Sequence, residues 1–318
     1  MSGIPSQTGE LFALAEGTII GSKDPLAQPP RTRRRGGRMR LYARRFLRNK
    51  VAVGGLVVFV LLVLVALFGG FLTPWTYYDL DFGNLGQPPS ATHWFGTAQV
   101  GSDMYAMVVH GLGRSLVIAL SVSAGTLIIG AFLGALAAYL GGRPEKVILG
   151  VINFLLACPS FLLMAIIALK TGGNWVWLIF VLTLFNWMII GRVIWQLSTS
   201  IRERDFVAAA RYMGIAGPVV VLRHIVPNIG SLLVVEFIVG IVNAVMSETA
   251  LSYLSFGVKL PDVSLGSLLT AGQSLLRTTP WAFWFPAGAL TLLTVSVAVM
   301  ADGLRDALDP SSAAGGKA

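Results

Sequence analysis

Apolar residues run from Val51 to Leu72 without a charge. At ~1.5 Å per residue this stretch crosses the ~30 Å hydrocarbon core of a bilayer. Five more apolar stretches of similar length follow, at about 115–140, 147–169, 175–195, 230–250 and 282–304. The pattern predicts an all-α membrane protein with six transmembrane helices. Small residues recur four apart in the second stretch, at Gly130, Gly134 and Ala138, after Ser121 and Gly125. They predict a face on which a neighbouring helix backbone comes close. Pro159, after Cys158, predicts a kink in the third stretch, and Pro286 one in the sixth.

Between the spans, the polar segment 196–228 sits at one membrane face. Within it, Phe206, Ala209, Ala210 and Met213 fall at i, i+3, i+4 and i+7. That spacing places them on one stripe of a short amphipathic helix, with Asp205 capping its start and Gly214 ending it. Such a helix suits a groove on another protein. The segment 73–113 is too long for a simple turn. It carries Trp75, Tyr77, Tyr78 and Trp94, and is expected to form an external docking surface.

Composition agrees with the membrane reading: 55% of residues are hydrophobic, 12% are charged and the mean hydropathy is +0.73. The net charge of +9 does not imply nucleic acid, because eleven of the 24 basic residues precede the first span. There they act as a topology signal. Residues 1–37 have no periodicity and are expected to be a disordered cytoplasmic tail, without the arrangement of a cleavable signal peptide. Residues 38–50 form a basic juxtamembrane segment, residues 51–310 the transmembrane domain and residues 311–318 a C-terminal tail. With six spans, twenty basic residues fall on the side of both termini and four, Arg114, Lys170, Lys259 and Arg277, on the other. This distribution puts both termini in the cytoplasm.

Within the fifth span, Glu236, Asn243 and Ser247 are spaced seven and then four, on roughly one helix face. An ionisable group at membrane depth faces protein or water. The stripe therefore either lines a translocation path or holds the bundle together. Glu248 is expected near the external end, and Asp302, Arg305 and Asp306 at a solvated helix end. The sequence has no GxxxxGK[ST] phosphate loop, HExxH, CxxC or GxSxG motif. His93, His110 and His224 sit in separate segments, so no metal site is expected.

The segment Ala208, Ala209, Ala210, Gly214, His224, Ile225, Val226, Pro227 resembles the cytoplasmic signature of ABC importer permeases, with its spacing kept in full. The segments 93–105, 248–258, 264–273 and 302–310 resemble the C-type subunit of the dipeptide/oligopeptide/nickel group. Ala208 stands where that family usually has Glu. Ala98 and Ser102 stand where acidic and basic residues are usual. The resemblance implies a type I ABC importer permease fold. It also implies a heterodimer with a homologous permease, two ABC ATPase subunits and an external substrate-binding protein, in a bacterial inner (cytoplasmic) membrane. ATP and Mg would then bind the partner subunits, with no cofactor in this chain. Asp205, Phe206, Ala208, Ala209, Ala210, Arg211, Met213, Gly214 and Pro227 would meet the ATPase. Glu236, Asn243, Ser247 and Glu248 would line the path. Peptides are the expected substrate class, nickel or oligosaccharides the alternative, and a proton-coupled secondary transporter a distant one.

Overall fold

The computed structural model describes residues 35–170 and 172–308. Most of the expected tail 1–37, and all of 311–318, lie outside the described residues. The described elements are helical, apart from two isolated bridges, Leu80 to Ser102 and Thr97 to Asp103. Helix α1 (Arg35–Arg48) stops at Asn49, whose extended backbone interrupts the helix. The Asn49 side chain then caps α2 (Lys50–Phe68) by accepting from the Ala52 N–H at 3.2 Å.

Helix α3 (Met104–Leu140) begins well before the expected 115 and has 37 residues, about 55 Å of helix. It starts early because Asp103 caps it, accepting from the Ala106 N–H at 2.7 Å. The same carboxylate meets His93 Nδ1 at 2.8 Å. His93 Nε2 reaches Asp81 at 3.3 Å, and the ring packs on Trp75 at 4.8 Å. The segment 73–103 is thus folded around a buried histidine. Hydrogen bonds from the Asn84 side chain and the Gly83 N–H, with His93 beside them, hold the Asp81 carboxyl below the usual carboxylate range. The Trp281 indole N–H donates to the Thr97 carbonyl at 2.9 Å and ties the segment to the last helix.

The expected third span is broken rather than kinked. Helices α4 (Gly142–Ala157) and α5 (Ser160–Lys170) meet at 81°. Pro159 drives Cys158 into an extended conformation, ψ 144°, which no helix continues through. Helix α6 (Trp175–Arg202) follows, capped by Asn174, then the short α7 (Asp205–Tyr212). Short α, π and 3-10 helical turns over 217–228 lead into α8 (Gly230–Tyr253), followed by α9 (Leu265–Gln273) and α10 (Trp281–Leu308). Among the described residues, five helices are long and apolar enough to cross a membrane, or six spans if α4 and α5 count as one.

The small-residue face of α3 meets α6. A Cβ on Gly134 would run into the Gly191 carbonyl oxygen, and one on Gly130 would lie 3.0 Å from the Trp187 oxygen. On another side, α3 packs on α8, where the Ser123 Oγ donates to the Phe237 carbonyl beside Gly240. Helix α10 closes against α2 at Gly55 and Gly303, which leave no room for a side chain beside Ser296 and Ala52 respectively. Backbones this close gain dispersion contacts that lipid cannot supply.

Candidate functional site: a displayed helix and a polar cleft

Helix α7 is held at the end of the bundle where α3 finishes. Val207 and Ala210 are buried in a cluster with Tyr139, Ile201, Val220 and Ile225. The Arg211 guanidinium donates to the Tyr139 carbonyl at 2.7 Å and lies over the Tyr139 ring. Arg202 donates to the Ala138 carbonyl at 3.0 Å. Asp205 is the first helical residue rather than the cap. Arg204 holds the cap position and no side chain caps the helix. The Asp205 charge still favours the positive end of the helix dipole. Gly214 ends the helix at φ +72°, a left-handed conformation that suits glycine.

The stripe expected from i, i+3, i+4 and i+7 is divided by the structure. Ala210 turns inward. Phe206, Ala209 and Met213 face outward, joined by Tyr212, which is 92% exposed. Ala208 is half-buried and Pro227 exposed. Tyr212 was missed from the sequence because it lies off the periodic stripe. Arg211 is exposed and holds its own chain through one guanidinium nitrogen.

On α8, Glu236, Asn243 and Ser247 share one side, because steps of seven and eleven residues are nearly whole turns. Asn243 is exposed, and Glu236 and Ser247 are half-buried. Glu248 lies about 120° further round. It was expected near the external end and among the path-lining residues, and it is buried in the bundle at 1% exposure. Its Oε1 accepts from the Ser252 and Ser264 hydroxyls, each at 2.6 Å, and Ser115 of α3 is a third hydroxyl at the same carboxylate. Glu248 therefore joins α8, the start of α9 and α3. Ser264 lies sixteen residues away, so periodicity within α8 gives no sign of the contact.

At the α7 end of α8, Glu236 opens into a cleft of about 320 Å³. Asp302 and Arg305, from the last turns of α10, line the same cleft. The expected solvated helix end is exposed, and Asp302 and Arg305 there also line a mostly apolar cleft.

Apolar helices of spanning length, packed closely through small residues, define an integral-membrane helical bundle with one short helix displayed at its end. The chain belongs to the family described as binding-protein-dependent transport system inner membrane component, whose model matches residues 127–313. Residues 37–89 match the N-terminal transmembrane domain of oligopeptide transport permease C, which places the chain in the C-type branch. It is 41% identical to the oligopeptide transport system permease protein OppC of Mycobacterium tuberculosis, over 86% of this chain and 95% of that protein. It is 32% identical to the dipeptide transport system permease protein DppC of Alkalihalophilus pseudofirmus, over 83% of this chain and 86% of that protein. It is 30% identical to the oligopeptide permease OppC of Bacillus subtilis, over 84% of this chain and 87% of that protein.

Proposed function

We propose that this chain is one of two permease subunits of an ATP-driven importer of di- or oligopeptides in a bacterial inner membrane. The observation that carries the reading is α7: anchored by Val207 and Ala210, it leaves Phe206, Ala209, Tyr212 and Met213 uncovered. An exposed apolar stripe on a short helix fits a groove on a partner. The partner is an ABC ATPase that binds ATP and Mg, so hydrolysis takes place on a separate subunit. Both termini and α7 lie in the cytoplasm, and the segment 73–103 faces the external substrate-binding protein. The peptide names of the relatives support the substrate class.

ATP-driven closure of the ATPases moves α7, and the attached α6 and α8 tilt with it as rigid bodies. Asn243, Ser247 and Glu236 line the path that this motion opens. The test is uptake of a labelled oligopeptide by vesicles holding the complete importer. Uptake requires ATP hydrolysis. Ala209→Arg abolishes it while leaving membrane insertion intact, because a long charged side chain then fills the contact face. Uptake that survives on a pH gradient alone, or a well-inserted Ala209→Arg variant with normal uptake, contradicts the reading.

A further inference from the structure

The cleft between α8 and α10 carries charge of both signs. Glu236 projects from α8 and is half-buried. Asp302 and Arg305 are exposed on α10, three residues apart and so neighbours on one helix face. Arg305 lines the same cleft as Glu236. Val235, Val239, Ala301 and Leu308 make most of the remaining wall apolar, and Ser231 and Leu232 line it one turn earlier on α8.

Two acidic groups and one guanidinium around a partly apolar wall complement a small zwitterion. A short peptide with free ends carries both an ammonium and a carboxylate. The volume of about 320 Å³ is at the small end of ligand sites, ~300–1,000 Å³. It suits a short peptide of small residues, or the end of a longer one. Arginine is the side chain best shaped to hold a carboxylate in two parallel hydrogen bonds.

We infer that this cleft is a binding site for the charged ends of a peptide, Arg305 taking the carboxylate and Glu236 with Asp302 the ammonium. The inference rests on the peptide-importer reading proposed above. It adds a release site at the end of the path nearest α7, built from residues of α10 that the signature segment does not contain. Its open, partly exposed walls favour brief occupancy, as release requires.

The experiment uses the complete importer in nanodiscs, carrying Leu232→Cys in a Cys158→Ser background. The rate of labelling by a small maleimide is measured with trialanine or with N-acetyl-trialanine amide, whose ends are blocked. Trialanine slows the labelling, and the blocked peptide does not. Arg305→Gln raises the half-protecting concentration of trialanine roughly tenfold, the cost of one charge-assisted hydrogen bond. Labelling that ignores trialanine, or equal protection by the blocked peptide on the unchanged charged lining, overturns the site. ATP-driven uptake by the same preparation is read separately. Uptake without protection sinks the cleft and leaves the importer reading standing, whereas protection without uptake does the reverse.

Discussion

The Glu248 carboxyl group is buried in the bundle, with its Oε1 satisfied by hydroxyls from two elements. Two serine hydroxyls donate to its Oε1 at 2.6 Å, from different elements. Glu248→Gln keeps an oxygen acceptor in that place and is expected to preserve assembly. Glu248→Leu leaves both hydroxyls buried without an acceptor, at roughly 1–3 kcal/mol each. Its melting temperature in the purified complex is expected to fall clearly, while that of Glu248→Gln stays near the parent. Equal melting temperatures for the two variants would refute a bonding role for this carboxylate. The residues legible in the sequence were those whose role is local. Gly214 ends a helix by its own φ, and Glu236, Asn243 and Ser247 share a face by arithmetic on one helix. Glu248, His93 and Arg211 were not legible, because their partners lie on other elements. No pattern within one helix shows that Arg211 turns back to Tyr139.

At the scale of elements, the helix-to-helix seams depend on missing side chains. Gly134 sits against the Gly191 carbonyl, whereas Gly150 on α4 has nothing within 4 Å of where a Cβ would be. Gly134→Leu therefore forces α3 and α6 apart, costing at least the ~1–3 kcal/mol of ordinary overpacking. Gly150→Leu is expected to be tolerated. Thermal unfolding of the two variants checks this, and a stable Gly134→Leu protein would mean that the seam yields more readily than its geometry implies. The small-residue spacing announced this face because closeness of backbones is written in four-residue steps. The start of α3 was hidden, since the cap at Asp103 depends on the fold of 73–103. The break at Cys158 was visible as Pro159, but its 81° angle was not. A proline removes a hydrogen bond, and the packing of its neighbours sets how far the chain then turns.

For the whole molecule, two features meet at one end of the bundle. Helix α7 presents an uncovered apolar stripe, and the cleft of Glu236, Asp302 and Arg305 opens where α8 leaves the turns that follow α7. One continuous stretch of chain, from α7 through 217–228 to α8, joins the exposed stripe to the cleft. On the proposed reading, work done by a partner on the stripe changes access at the cleft. The account is tested most directly by placing Met213→Cys, in a Cys158→Ser background, in the assembled importer and following its cross-linking to the ATPase subunit through a short photoreactive group attached to that thiol. The account predicts a cross-linked product whose yield changes between the nucleotide-free and ATP-bound states. No product in either state, with the complex intact and active, would contradict it.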